Sequence, residues 1–313
     1  MNMLPTVTIV IPVKPGLSPE ALKAVEELNY PKDRLEVFLV YGKNPSYQRN
    51  RVVEKARGEI IYFLDNDSLP KEDTLKRLVK HLESPEIVIA GGPSIAPRGI
   101  GFLPFLFGKT LESALCSGSS SNRYKRVGKV RFTTEKEIIL CNMVMKKDVF
   151  IKFGGLNERL YPNEENELME KVKHSGYKIV YDPDAFIERL PRKTLKAFVK
   201  QIFNYGRGRG EQTVFYPKSF SFMNFIPFFF VIYLVFALMK DGFLLFPLYL
   251  YFFILLIDAV LKAVREKDLR LIFLPVTSFL LHVIYGVGTV YGLIKAPFKK
   301  PYKGEIKIEK ITK

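Results

Sequence analysis

The sequence predicts an α/β domain with a mostly parallel sheet, followed by a C-terminal transmembrane helical region. Three observations carry this. Between residues 6 and 92, apolar β-branched runs alternate with stretches of helical periodicity, an order that implies parallel pairing and right-handed crossovers. Residues 1–219 mix charges with apolar residues, whereas residues 220–294 are mostly apolar. Residues 295–313 form a basic tail. The expected organisation is a soluble domain with interfacial helices over 1–219, a membrane region of two or three helices over 220–294, and the tail.

Element by element, TVTIVIPV (6–13) is a buried strand by its β-branched content. SPEALKAVEEL (18–28) is a helix, with Ser18 as its cap and Pro19 at its first position. LEVFLVYG (35–42) is a second buried strand, and YQRNRVVEKARG (47–58) a helix that stops at Gly58. EIIYFLDND (59–67) is the third strand, KEDTLKRLVKHLES (71–84) a helix and EIVIAGG (86–92) the fourth strand. Open sheets of this kind bind ligands beyond the carboxyl ends of their strands. Asp65 and Asp67 stand at such an end, so the apolar run before them is the buried strand and the acids are delivered to the edge of a site. Separated by Asn66 alone, both carboxylates can reach one hard cation. Mg²⁺ and Mn²⁺ prefer carboxylate oxygen, often shared with substrate phosphate, and a metal-bridged diphosphate is a good leaving group. Asp-Asn-Asp-Ser is also ordinary turn or cap composition, and the motif alone does not choose.

Three stretches reach the roughly 20 apolar residues that a span needs: FMNFIPFFFVIYLVFALM (222–239), FLLFPLYLYFFILLIDAVL (243–261) and LIFLPVTSFLLHVIYGVGTVYGLI (271–294). Lys240, Asp241 and Gly242 join the first two as a tight hairpin. KAVREKDLR (262–270) and the tail are both basic and both expected on the cytoplasmic face. Three full spans would separate them, so either the third stretch re-enters, bent at Pro275, Gly286 or Gly288, or the tail breaks the rule. IGFLPFLFGKTLESAL (100–115) and TLKAFVKQIFNYGRGRG (194–210) read as helices lying along headgroups, the second equally as an amphipathic helix packed on the soluble domain.

The net charge of +16 suits nucleic acid, an anionic membrane or phosphate-bearing substrates. The apolar second half makes membrane lipid the expected partner and nucleic acid not. Cys116 and Cys141, far apart, make neither a metal site nor a disulfide framework. The N-terminus MNMLPTVTIV has no charged region or cleavage site of a secretory signal, and a cytoplasm-facing domain is expected.

SYQRNRVVEKARGEIIYFLDNDSLP (46–70) resembles the stretch of the family 2 glycosyltransferases in which a helix with an Arg-Asn pair and an Ala-x-Gly leads into a strand ending in D-x-D. FGGLNERLYPNEENELMEKVKHSGYKIVYDPDA (153–185) resembles that family's Gly-Gly segment with its following Glu, then an acidic pair opening a helix, then Gly-Tyr-x-Ile and a strand. The resemblance spans residues 6 to about 210, and the subgroup with a C-terminal membrane region, acting on lipid-linked or polysaccharide acceptors, is the most similar.

The resemblance implies the GT-A nucleotide-sugar-binding fold. It implies Asp65 and Asp67 as the motif for a Mg or Mn divalent cation and the donor diphosphate, with Val13, Arg49, Asn50 and Asn66 at the nucleotide-sugar site. It implies Glu164 and Glu165 as the acidic pair, with Glu165 the general base that takes the acceptor hydroxyl's proton in a single inverting displacement. Acids in a first helical turn also have a dipole explanation. Asn142 either contacts sugar hydroxyls or is structural. Arg207 and Arg209, in GRGRG (206–210), stand where processive members carry Gln-x-x-Arg-Trp. On a glycine-flanked loop they would clamp a diphosphate or touch anionic lipid. SGSSSNRYKRVGKV (117–130) either folds over substrate or is a mobile connection. VKPG (13–16) replaces the family's usual Asn-Glu, and the second strand ends VYGKN (40–44) without the aspartate that contacts the nucleotide, leaving the nucleotide open.

The expected function is thus a membrane-anchored, metal-dependent inverting glycosyltransferase. It moves a sugar from a nucleotide-sugar donor to a polyprenyl-phosphate-linked or other amphiphilic glycan acceptor, in a multi-pass cell-membrane protein with its catalytic domain in the cytoplasm. The alternatives are a non-catalytic membrane partner with a degenerate transferase domain, and a membrane-bound nucleotidyltransferase.

Overall fold

The computed structural model describes residues 4–239 and 242–311, so Lys240 and Asp241 of the expected hairpin turn lie outside the described residues. The chain divides into two compact units: Met1–Pro97 with Asn122–Arg189 and Lys300–Lys313, and Arg98–Ser121 with Leu190–Lys299.

The four strands expected early in the chain are β1 (Val7–Val13), β2 (Leu35–Tyr41), β3 (Ile60–Leu64) and, after the short β4 (Leu69–Pro70), β5 (Ile87–Gly91). Short β6 (Ser94–Ile95) and β7 (Arg131–Phe132) follow, then β8 (Asn142–Lys146), β9 (Lys178–Tyr181), β10 (Ile187–Glu188) and β11 (Lys307–Ile311). Among the described residues these form an eight-stranded sheet, ordered β11-β2-β1-β3-β8-β5-β9-β7, and a three-stranded sheet, β4-β10-β6. β1 pairs parallel with β2 and β3, as the alternating pattern requires, and β5 pairs parallel with β9. β8 lies antiparallel between β3 and β5. The chain reaches it from β5 without a crossover helix in this unit, and such a return pairs antiparallel.

Helices α1 (Ala21–Glu26), α2 (Pro45–Val53) and α3 (Thr74–His81) belong to this unit. α1 starts later than Ser18-Pro19 suggests, because the Ala21 backbone N–H donates to Asn66 O at 2.9 Å and the turn after β3 takes over its first N–H. α2 starts earlier, at Pro45, capped by Asn44 Oδ1 accepting from Tyr47 N at 3.0 Å. Strand residues alternate between two buried clusters. Ile61 and Phe63 join Val10 and Phe38 on one face, and Ile60, Tyr62 and Leu64 join Ile9 and Ile11 on the other. A sheet buried on both faces explains the unbroken apolar runs. At Gly58 a Cβ would sit 2.4 Å from the Thr8 backbone nitrogen, so only glycine lets the chain turn into β3 so close to β1.

The basic tail returns to the sheet. β11 pairs antiparallel with β2, with Ile306 and Ile308 against the core, and Lys310 Nζ lies 2.6 Å from the buried Glu36.

The second unit is helical: α4 (Phe102–Glu112), α5 (Ala114–Ser117), α8 (Leu195–Phe215), α9 (Phe222–Met239), α10 (Phe246–Glu266) and α11 (Leu274–Lys295); α6 (Lys147–Lys152) and α7 (Glu164–His174) belong to the first unit. Two helical stretches, Phe243–Glu266 and Leu269–Phe298, are long and apolar enough to cross a membrane, and Phe222–Ala237 is apolar but shorter. These support membrane association. GRGRG is not the loop that its glycines suggest: it lies inside α8. The reason is packing. A Cβ on Gly206 would meet Tyr285 O at 2.0 Å and one on Gly210 would meet Thr289 O at 2.4 Å. In return a Cβ on Gly288 would meet Phe203 O at 2.3 Å and one on Gly292 would meet Arg207 O at 2.1 Å. A Gly-x-x-x-Gly on each helix lets the two backbones touch. Phe107 of α4 and Phe198 of α8 stack 4.2 Å apart, so both segments expected to be interfacial belong to this helical unit.

Candidate active site

β3 ends at Leu64, and the next four residues close a turn: Ser68 N donates to Asp65 O at 3.1 Å, and Asp65 N donates to Ser68 Oγ at 3.3 Å. Asp-Asn-Asp-Ser is therefore a turn, and it is also what leaves both carboxylates at the sheet's edge, with side chains 26% and 31% exposed.

Arg49 reaches this turn from α2. Its Nη2 lies 2.6 Å from Asp65 Oδ1 and its Nη1 3.3 Å from Glu164 Oε1. One almost fully buried guanidinium thus joins the two motifs that the sequence separates by about a hundred residues. Asn50 does something else. Its Nδ2 donates to Leu156 O at 2.8 Å and its Oδ1 accepts from Leu156 N at 2.9 Å, so it clips the Gly-Gly segment down. Its amide faces that loop and not the acids. Gly155 lets it come close: its φ is 69°, and a Cβ would lie 2.8 Å from Asn50 Oδ1.

Asn163, held left-handed at φ 85°, immediately precedes α7, and Glu164, Glu165 and Glu167 fill the helix's first turn. Glu164 and Glu165 are both buried. Burial first, then the neighbouring Glu165 charge, push Glu164 up to about 8 despite Arg49. Glu167 is tied to Lys171 at 2.6 Å and to Asn157 at 2.8 Å, in keeping with a structural role. Glu165 faces Arg123, whose Nη1 lies 3.8 Å away while its Nη2 donates to Asn166 Oδ1 at 2.6 Å. Arg123 Nε donates to Lys136 O at 2.9 Å, and Tyr181 Oη donates to Asn122 O and Lys125 O, so this part of the small-residue segment is tied down and not a free connection.

Asn142 is fully buried: its Oδ1 accepts from Tyr62 Oη at 2.9 Å and its Nδ2 donates to Ala185 O at 2.7 Å. That is the structural alternative for this residue. Val13 closes β1, and its carbonyl accepts from Gly42 N at 3.0 Å and Gln48 Nε2 at 3.3 Å. Asn66 Nδ2 reaches Ser18 O at 3.5 Å. Arg207 and Arg209 belong to the other unit, where Arg207 pairs with Glu211 and Arg209 Nη1 donates to Gln212 Oε1 at 3.0 Å.

Sequence reading missed two residues. Arg123 lies in a segment of mixed composition with no motif. Arg189, just after β10, lies 3.1 Å from Asp65 Oδ2 and 2.8 Å from Asp67 Oδ1. Its basic, proline-flanked surroundings look like any surface segment.

The acids suit a hard divalent cation. A cationic group already stands between the two carboxylates, and both are oxygen donors on one turn. Among the described residues no group of three or more His, Cys, Asp or Glu side chains is arranged for a metal. The chain therefore offers two carboxylates, and the remaining ligands would be water and diphosphate oxygens, the shared mode that Mg²⁺ favours.

Residues 17–154 match the family model described as glycosyl transferase family 2. The architecture gives the chain a GT-A-like α/β fold with C-terminal apolar helices, and the matched residues are similar to the family 2 glycosyltransferases, an enzyme class that transfers a sugar from a nucleotide-sugar donor. Over 93% of this chain and 88% of the other, the fold is similar to that of the mannosyltransferase PcManGT from Pyrobaculum calidifontis, solved with GDP-Man and Mn²⁺, at a TM-score of 0.60 and 15% identity. Among curated proteins, a Methanococcus voltae dolichyl N-acetyl-alpha-D-glucosaminyl phosphate 3-beta-D-2,3-diacetamido-2,3-dideoxy-beta-D-glucuronosyltransferase is 21% identical over 266 residues, covering 84% of this chain and 79% of that one. A glucosyl-dolichyl phosphate glucuronosyltransferase of Haloferax volcanii is 20% identical over 261 residues, covering 80% and 74%.

Proposed function

We propose that this glycosyltransferase is divalent-cation-dependent and inverting, and that its acceptor is a polyprenyl-phosphate-linked saccharide or a similar amphiphilic glycan. The observation that carries the reading is the Arg49 bridge, which puts the D-x-D acids and the acidic pair into one cluster. Asp65 and Asp67 would hold Mg²⁺ or Mn²⁺, which when bound supplies charge neutralisation at the departing diphosphate. Glu165 is the general base, since Glu164 is committed to Arg49 and its raised affinity for a proton suits it less. As the acceptor oxygen bonds to the anomeric carbon, the bond from that carbon to the diphosphate oxygen breaks, and the hydroxyl proton goes to the Glu165 carboxylate. Attack from the face opposite the leaving group inverts the configuration. Arg123 holds Glu165 and Asn166 in place. The dolichyl-phosphate names of the two relatives support a lipid-linked acceptor.

The tail supports a topology. The first unit contains both Arg189, where the chain leaves it, and Lys300, where the chain returns to pair β11 with β2. A chain that departs and returns on one side of a bilayer crosses it an even number of times. α8 carries Lys196, Lys200, Arg207, Arg209 and Glu211 and packs backbone to backbone along α11. Such charges are costly at bilayer depth. The favoured reading is that α9 and α10 cross as a hairpin while α11 stays with α8 on the catalytic side. The basic 262–270 connection then faces the cytoplasm with the catalytic domain.

The test is nucleotide release by the detergent-purified chain from a panel of nucleotide sugars, with Mn²⁺ or Mg²⁺ and polyprenyl-phosphate lipids. Release that requires metal and lipid, and is lost in Asp67→Asn and Glu165→Gln, is the expected result, with product of inverted anomeric configuration by NMR. Nucleotide-sugar binding without turnover would favour a degenerate partner, and pyrophosphate release from a nucleoside triphosphate would favour a nucleotidyltransferase.

A further inference from the structure

Both oxygens of Asp65 are committed to guanidinium groups: Oδ1 to Arg49 at 2.6 Å and Oδ2 to Arg189 at 3.1 Å. Arg189 also spans to Asp67 Oδ1, 2.8 Å from its Nε. A divalent cation ligated by Asp65 must take an oxygen from one of them, since a dication and a guanidinium on the same oxygen repel. The two arginines are not equally able to yield. The Arg49 side chain is 3% exposed and also paired with Glu164, whereas Arg189 is 21% exposed. Its backbone is held by Arg189 N donating to Ile95 O at 3.0 Å beside the β10–β6 pair. Arg189 is moreover the residue at which the chain leaves the first unit.

We propose that Arg189 is a positioning residue that couples metal and donor binding. In the absence of donor its guanidinium neutralises Asp65 and Asp67; when a nucleoside diphosphate arrives it transfers to the diphosphate oxygens and releases the acids to the cation. This rests on the metal-dependent reading above. The chemistry matches at each end, because a guanidinium fork pairs with carboxylate or phosphate oxygens in the same geometry. The cation alone must compete with Arg189. The cation together with a diphosphate leaves every charge paired. The two ligands therefore bind cooperatively, and by linkage each raises the other's affinity by the same factor.

The experiment is Mn²⁺ binding to the full-length detergent-purified protein, followed by the EPR signal of free Mn²⁺, alone and with saturating GDP or UDP. In the wild type, Mn²⁺ should bind weakly alone and at least about tenfold more tightly with the diphosphate that the protein accepts. Arg189→Gln should bind Mn²⁺ alone about tenfold more tightly than the wild type, with the coupling factor falling toward one. Arg189→Lys, which keeps the charge but loses the fork, should fall between them, and it carries the comparison if thermal melting shows Arg189→Gln to be unfolded. Folded variants that bind Mn²⁺ alone no more tightly than the wild type, or that keep its coupling, overturn the role of Arg189 and leave the metal-dependent reading standing. A wild type that binds no Mn²⁺ with either diphosphate overturns both.

Discussion

Glu164 shows how much one buried carboxyl can reveal. Burial and the adjacent Glu165 raise its folded-state value to about 8, above that of an exposed glutamate. A carboxyl raised in this way contributes stability that is present at low pH and is lost as pH rises through the folded value. Thermal melting between pH 5 and pH 9 should therefore show stability declining up to about pH 8 and levelling off above it, and Glu164→Gln should remove that decline. Arg49 opposes the shift, so Arg49→Ala should cost about 3 kcal/mol, more at pH 9 than at pH 6, as read from denaturant melts. Asn142→Leu leaves Tyr62 Oη and Ala185 O unpaired in the core and should cost about 2 kcal/mol in the same assay. At this scale the motif residues Arg49, Asp65, Asp67, Glu164 and Glu165 were legible, because each sits in a short pattern tied to a strand end or a helix start. Arg123 and Arg189 were not, because their partners are brought to them by pairings far along the chain: Arg189 by β10 against β6, Arg123 by the backbone of residues 135 and 136.

At the scale of elements, the α8–α11 contact is the most demanding in the helical unit. Gly206→Ala or Gly288→Ala would drive a Cβ into a carbonyl oxygen of the facing helix. Overpacking of this kind costs typically 1–3 kcal/mol, so each variant should lower the melting temperature in detergent, whereas alanine at Gly118, with nothing within 4 Å, meets no such clash and pays only for its positive φ. The periodicity of 194–210 carried the helix, but its GRGRG end suggested a loop, because Gly lowers helix propensity while its value here lies wholly in the partner helix. β11 escaped the reading for a related reason. EIKIEKI has strand alternation, but its basic surroundings suggested a charged tail, and only β2 gives it a partner. Ile308→Asp should unpair this edge, expose Val40 and lower the melting temperature of the first unit.

For the whole molecule, topology is the open consequence. Cys116 and Cys141 are buried, so introduced cysteines report cleanly. Phe243 and Leu269 are highly exposed and flank α10. If α9 and α10 form the crossing hairpin, Leu269→Cys is labelled by a membrane-impermeant maleimide from the cytoplasmic side and Phe243→Cys from the opposite side. The reverse pattern would mean that α10 and α11 cross instead. Either result keeps β11 on the side of its sheet.

Local chemistry was enough to determine the alternation of strands and helices, the delivery of Asp65 and Asp67 to a strand end, the acidic start of α7 and the apolar character of three C-terminal helices. Each depends on periodicity or capping within a few residues, which a sequence carries whole. Tertiary structure alone decided that β8 runs antiparallel through the sheet, that the glycine-rich end of α8 packs backbone to backbone on α11, that the tail rejoins the sheet as β11, and that Arg189 stands between the D-x-D acids. Those outcomes depend on which distant surfaces meet, and the free energy that selects them belongs to the assembled fold and not to any one segment.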